Sequence, residues 1–354
     1  MLRQVGMSAS RICPKDKRAT EMRGFGAKVF FDQTALLIME TEKLSKSVAN
    51  RPQNIMRGVI LIVLAALTIS IQDLIFKLFS GELTLWQIFA LRGIMAVPLL
   101  LAVSLMRGLE KGILRAAFGR WSMLRAVFIT ATFMAFYAAI PFISLSTVGA
   151  ANYVAPILVT LLSAYVIKEA VGPLGWIGVL LGFAGVLVLL QPGTDAFSVW
   201  ALLPLFGAGF YALAHITTRT RCQGVPIAAL SLAQNTVLMV AGVVVSLVLV
   251  SLKPQGEMAA AYPYIFGQWS VVDHLDWLVL TVLAGFAVAV GMMLAGAYQA
   301  APPAIIGTFE YSYLVFAAVW DILFFDTVPT TARVTGMVMI VVAGLFVLRP
   351  KARA

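Results

Sequence analysis

Residues 303–325 read PAIIGTFEYSYLVFAAVWDILFF, an apolar run long enough to cross a bilayer that still carries Glu310 and Asp321. An ionisable side chain at membrane depth costs roughly 2.5–3.5 kcal/mol on insertion scales and ordinarily faces a bundle interior or a wet cavity. A carboxylate there can bind a cation or a hydrogen-bond donor, and it can exchange a proton. Glu310 stands seven residues into the run, about 10 Å along a helix rising 1.5 Å per residue and so near the midplane. Asp321 follows eleven residues later and, at about 100° per residue, returns to nearly the same helix face. Tyr313 and Ala317 fill the stripe between them, with Trp320 at its edge.

The remaining charged residues at membrane depth have narrower roles. Arg92, well inside an apolar run, is the buried cation best placed to meet Glu310 or an anionic substrate group. Asp73 and Lys77 are four residues apart, the spacing of a helical ion pair; with Gln72 beside them they read as a structural pair or as an outer gate. Arg125 lies near the end of its run and is expected to snorkel. His215 titrates in the neutral range when unperturbed, but as a lone histidine it is expected to be structural.

Catalytic signatures are missing. The sequence holds no H-E-x-x-H, no G-x-S-x-G and no Walker P-loop. Asp273-His-Leu-Asp276 reads as a solvated turn, and Cys13 and Cys222 are two distant thiols outside any disulfide or metal pattern. No catalytic residue, metal or cofactor is expected, nor ATP-driven transport by this chain.

These residues sit in a chain that is 61% hydrophobic and 12% charged, with a mean hydropathy of +0.93. An ordinary soluble domain carries about a quarter charged residues, so this is an integral membrane protein. Runs of about 20 apolar residues predict ten spanning helices, at 57–79, 83–106, 121–140, 146–168, 173–191, 198–217, 226–251, 275–298, 302–325 and 331–349. The net charge of +10 requires no nucleic-acid partner, because the basic residues crowd the first 57 positions and the short loops around 107–125, Lys168, Arg219, Arg221 and the Arg349–Arg353 tail. That asymmetry predicts both termini in the cytoplasm. Residues 1–55 match neither a signal peptide nor a span; they read as a basic cytoplasmic tail, disordered or preceding a true start at Met56.

The chain also compares with itself. Ala184-Gly-Val-Leu-Val-Leu-Leu-Gln-Pro192 is echoed by Ala343-Gly-Leu-Phe-Val-Leu-Arg-Pro350, and Ile167-Lys-Glu169-Ala-Val by Phe324-Phe-Asp326-Thr-Val. Two units, 56–192 and 198–350, would hold five spans each. An odd number inverts the second unit in the membrane, the plan of carriers whose substrate site lies at the midplane between repeats. The expected fold is thus all-α, with ten transmembrane helices as two inverted five-helix repeats. Aligning Glu169 with Asp326 brings Asn152 within one position of Glu310, so that both, with Tyr153, Tyr311 and Tyr313, would line one polar and aromatic pocket. Glycines of the fifth, eighth and tenth spans (Gly178, Gly182, Gly185, Gly285, Gly291, Gly296, Gly336, Gly344) suit close helix packing; a homodimer through the fifth and tenth spans is a further option.

Ala150-Ala-Asn-Tyr-Val-Ala-Pro156 through Lys168-Glu169, the Gly178, Gly182 and Gly185 series, and Phe309-Glu-Tyr311 through Asp326-Thr-Val-Pro329 resemble the drug/metabolite transporter superfamily, in its ten-span EamA-type branch. The resemblance covers about residues 56 to 350. It implies two EamA repeats, a bacterial inner-membrane location and transport of a small metabolite. Two departures stand out: Asp326 replaces the usual glutamate, and Tyr313 stands where the first repeat has Pro156, which would leave the ninth helix less bent than the fourth.

The expected function is secondary transport by alternating access, with Glu310 as the proton-responsive group if transport is proton-coupled. The tyrosines favour an aromatic or vitamin-like substrate such as riboflavin; amino acids and S-adenosylmethionine are the alternatives. From other classes come a membrane sensor, a channel and an intramembrane enzyme. Substrate identity, direction, coupling and oligomeric state lie beyond the sequence.

Overall fold

Apolar periodicity alone cannot orient a helix in lipid; packing does so, and it is visible in the structure, a computed structural model. It describes residues 53–79, 83–106, 112–139, 153–169, 171–190, 200, 202–252, 257–325 and 330–348, all within the unit Val48–Ala354. The basic tail, Asn152, Asp326 and the carboxy-terminal basic residues lie outside the described residues.

The described elements are helices: α1 (Ile55–Phe79), α2 (Leu85–Met106), α3 (Ile113–Ala117), α4 (Arg120–Ala139), α5 (Ala155–Tyr165), α6 (Pro173–Leu190), α7 (Leu202–Arg221), α8 (Ile227–Leu252), α9 (Glu257–Ala261), α10 (Pro263–Phe266), α11 (His274–Ala300), α12 (Pro303–Glu310), α13 (Ser312–Phe325) and α14 (Thr331–Leu348). Among the described residues, six stretches are long and apolar enough to cross a membrane: within α1, α2, α4, α8 and α11, and across α12 and α13 together. Shorter apolar helices lie in α5, α6 and α14. This all-helical construction is what hydrocarbon demands, since a helix satisfies its own backbone hydrogen bonds.

Local signals set the helix starts. Asp273 accepts from the Asp276 backbone N–H at 2.7 Å while the Asp276 side chain returns a bond to the Asp273 N–H at 3.1 Å, a reciprocal cap on α11. Pro303 opens α12 and Pro156 sits in the first turn of α5, where a missing N–H is harmless. Pro156 therefore stands at the start of α5. The ninth span, expected to bend less than the fourth, is interrupted: α12 ends at Glu310 and Tyr311 forms a turn before α13. There Ser312 Oγ donates to the Phe309 carbonyl at 2.7 Å, beside the Tyr311 backbone N–H that the same carbonyl accepts.

Helices pair as α1 with α11, α2 with α8, α4 with α7, α5 with α12 and α6 with α14. Two glycines set the closest approaches. A Cβ on Gly242 of α8 would lie 2.8 Å from the Trp86 carbonyl and the Ala90 nitrogen of α2, and one on Gly185 of α6 would lie 2.9 Å from the Gly336 carbonyl of α14. Gly182 and Gly185 of α6 and Gly344 of α14 are thus packed against neighbours within the chain. Val240, Val244, Leu247 and Val248 of α8 are exposed, at the spacing of one helix face, as a lipid-facing stripe requires.

One end of the bundle, where α1 begins, is tied closed by polar contacts. The Asn54 N–H donates to the Ala300 carbonyl at 3.0 Å, and Gln299 Nε2 reaches the carbonyls of Cys222 and Val225 at 2.8 and 3.0 Å. Arg219 of α7 meets Glu169 at 2.7 Å, the guanidinium almost fully buried. The opposite end is held by Trp86 Nε1 on the Ile265 carbonyl at 2.8 Å and by Gln87 Nε2 on the Ser270 carbonyl at 2.8 Å.

Candidate functional site

The break after Glu310 places its carboxylate between three helices. Tyr211 of α7 and Tyr298 of α11 both donate to Glu310 Oε1, at 2.6 and 2.8 Å. His215, one turn beyond Tyr211, lies between these phenols, its ring centroid 4.2 Å from that of Tyr211 and 3.9 Å from that of Tyr298, stacked on the latter at 27°. His215 is fully buried, and neither ring nitrogen has a hydrogen-bond partner among the described residues. Glu310 is thus held as an acceptor against an aromatic wall.

Three predicted tyrosines do come together beside it. The Tyr311 hydroxyl donates to the Tyr153 carbonyl at 3.2 Å, and the rings of Tyr153 and Tyr313 stack at 6.3 Å. Tyr311 is fully buried because Gly182 of α6 leaves room for its ring: a Cβ there would lie 2.5 Å from Tyr311 Cδ2. Tyr313 Oη donates to Asp73 Oδ2 at 2.6 Å.

Several sequence expectations change. Arg92 does not pair with Glu310. Its charge interacts with that of Asp73, and its guanidinium lies 5.8 Å from the centre of the Phe89 ring, while Glu310 is held by its two phenols. Asp73 accordingly belongs to the tyrosine cluster and the Arg92 neighbourhood, while the side chains of Lys77 and Asp321 lie outside the described residues. Arg125 does not snorkel. It is fully buried, with Nε donating to Thr218 Oγ1 at 2.7 Å and Nη1 to Gln234 Oε1 at 3.3 Å, because α7 and α8 close over it. Outside the spans, burial pushes the Cys222 thiol up to about 11, against a smaller opposing pull from Arg125, which makes it an inert free thiol.

Tyr211, Tyr298, Arg125, Thr218 and Gln234 were not singled out by sequence reasoning as site residues. The signals present were the i, i+4 spacing of Tyr211 and His215, which puts them on one face, and the adjacent amides Gln234-Asn235 inside an apolar run. Their convergence depends on contacts between α4, α7, α8, α11 and α12.

Residues 56–191 match the EamA-like transporter family. Pseudopaline exporter CntI of Pseudomonas aeruginosa, in two strains, is 27% identical over 297 residues, 83% of this chain and 96% of its own length. Residues 56–191 thus form an EamA-like domain, in a chain similar over most of its length to proteins named as transporters. A riboflavin transporter of Rhizobium johnstonii is 23% identical over 309 residues, 87% of this chain and 96% of its own. The transporter also shares its fold with a protein of known crystal structure, at a TM-score of 0.67 and 18% identity over 83% of this chain and 98% of that one. The family match and the relatives' names point to a non-enzymatic transporter.

Proposed function

We propose that this transporter moves a small metabolite across the bacterial inner membrane by alternating access, with the substrate seated against Glu310, Tyr153, Tyr311 and Tyr313. The observation that carries the reading is the Glu310 carboxylate, held by two phenols at the break of an interrupted span. Interrupted helices with polar groups at the break are where carriers place their binding sites. Asp73 adjoins this group through its 2.6 Å bond from Tyr313 and interacts with Arg92.

Two five-span repeats, 56–192 and 198–350, fit the packing. Exchanging α1, α2, α4, α5 and α6 for α7, α8, α11, α12–α13 and α14 turns the α1–α11 contact into α4–α7, and returns α2–α8, α5–α12 and α6–α14 to themselves. A twofold relation between halves produces that pattern. Placing the α1 end in the cytoplasm puts the basic loops on the inner side, where the Arg219–Glu169 pair then lies.

The stacked tyrosines favour a substrate with an aromatic or vitamin-like group, and the similarity to a riboflavin transporter makes riboflavin a natural first substrate; amino-acid-derived metabolites come second, favoured by the similarity to the pseudopaline exporter. The test is counterflow in proteoliposomes, with riboflavin and aromatic amino acids each preloaded and chased. Saturable exchange that Glu310→Gln abolishes supports the site; full exchange in that variant and in Tyr313→Ala refutes it.

A further inference from the structure

The end of the bundle where α1 begins carries an aromatic and basic patch that the Glu310 group does not use. Trp121, in the first turn of α4, packs its indole against the cluster of Cys222, Leu230 and Ala295. Two guanidiniums lie over that one ring. The Arg120 group is 5.0 Å from the ring centre, and that of Arg221, the last residue of α7, is 4.9 Å from it. Each contact is attractive, yet gathering two cations at one ring costs mutual repulsion. Among the described residues neither Arg115 nor Arg120 has a carboxylate partner, and the first turn of α4 holds no acid. The stretch from 107 to 120 sets Arg107, Lys111, Arg115 and Arg120 against the single acid Glu110. The patch is strongly positive.

Its surroundings are apolar and exposed. Arg120, Leu124 and Val127 follow at i, i+4 and i+7, which puts them on one face of α4, and all three are exposed. On α3, Ile113 and Ala117 are buried in the core, while Leu114 and Phe118, four apart on another face, are each 53% exposed. Ser122 Oγ donates to the Ala116 carbonyl at 2.7 Å and fixes α3 to the start of α4. In a bilayer such a stripe faces acyl chains, and a guanidinium at its head lies at headgroup depth. A soluble anion would use the arginines and leave the stripe idle. A lipid with an anionic headgroup uses both.

We propose that Arg120, Trp121 and Arg221 form a site for an anionic phospholipid, its headgroup drawn to the two guanidiniums and an acyl chain lying along Leu124 and Val127. The site is separate from the Glu310 group and needs only that the helices span a bilayer, so it stands whatever the substrate is. A headgroup there joins the end of α7 to the start of α4, two residues from Arg219, whose pair with Glu169 ties the same end of the bundle. Bound lipid therefore stabilises this arrangement.

The test is native mass spectrometry of the purified full-length chain in detergent, with phosphatidylglycerol or phosphatidylcholine added, alongside thermal unfolding of the same samples. Wild type should retain phosphatidylglycerol in preference to phosphatidylcholine, and only the former should raise the unfolding temperature. Arg120→Gln and Arg221→Gln should each weaken phosphatidylglycerol binding about fivefold, the worth of one basic side chain at an anionic surface, and leave phosphatidylcholine unchanged. Arg57→Gln removes the same charge from an exposed residue at the same end and should bind as wild type does. If Arg221→Gln does not elute as a folded species, Arg120→Gln, at an exposed position, decides alone. Equal retention of the two lipids overturns the proposal, and so does an equal loss in Arg57→Gln and Arg120→Gln, because overall charge alone then governs binding. Thermal protection by sn-glycerol 3-phosphate equal to that by phosphatidylglycerol overturns it too, assigning the patch to a soluble anion.

Discussion

The Tyr313 hydroxyl donates to the Asp73 carboxylate at 2.6 Å, across 240 residues of sequence. The bond joins α13 to α1 immediately beyond the break that presents Glu310. It couples the interrupted span to the first one, so removing it should affect transport more than folding. Tyr313→Phe is expected to cost about 0.6–1.7 kcal/mol of stability, the range for hydrogen bonds between membrane helices, and to raise the half-saturating substrate concentration in counterflow. An unchanged counterflow curve would detach Asp73 from the site.

Glu310→Gln keeps an acceptor for Tyr211 and Tyr298 but removes the charge. The variant should fold, with a melting temperature near that of wild type, while exchange falls about tenfold or more, the factor equivalent to 1.4 kcal/mol. Tyr211→Phe with Tyr298→Phe strips the carboxylate of both donors and should lower stability as well as exchange. Melting and counterflow measured on the same preparations separate the two effects.

Breaking the buried Arg219–Glu169 pair should be strongly destabilising, since one charge is left behind. Arg219→Ala is expected to lose about 3 kcal/mol, at the lower end for such pairs because Glu169 retains some exposure. Exchanging the two residues should recover part of the loss, as read by thermal unfolding in detergent.

Glycine substitutions give a paired comparison. Gly185→Ala forces a Cβ to within 2.9 Å of the Gly336 carbonyl and should cost about 1–3 kcal/mol as an overpacked contact between α6 and α14. Gly285→Ala in α11 meets nothing within 4 Å and should stabilise by about 0.5–1 kcal/mol through reduced backbone freedom. Equal behaviour of the two would contradict the packing.

Cys222, with its thiol pushed up to about 11, should resist maleimide at neutral pH in the folded transporter. Labelling should rise as pH approaches that value and become rapid on unfolding. Fast labelling at pH 7 would show that the turn between α7 and α8 opens.

The sequence by itself determined the solvent and the element type. With 61% hydrophobic residues in runs of about 20, backbone polar groups have to be satisfied internally, and helices follow. It also marked Glu310, because a carboxylate in such a run is costly and therefore conspicuous, and its tyrosine neighbours, because they are close in the chain. The partners of these groups were not legible. Tyr211 and Tyr298 look like ordinary aromatic residues of apolar spans, and Arg125, near a helix end, has the local appearance of a snorkelling side chain. Which of its polar residues a helix turns inward, and which helix covers them, is fixed by close approaches such as Gly242 on α2 and by contacts between segments roughly a hundred residues apart. The tertiary structure alone therefore decided that Glu310 meets phenols, that Arg92 acts on Asp73, and that Arg125 is buried. Periodicity in one segment has no access to those long-range pairings.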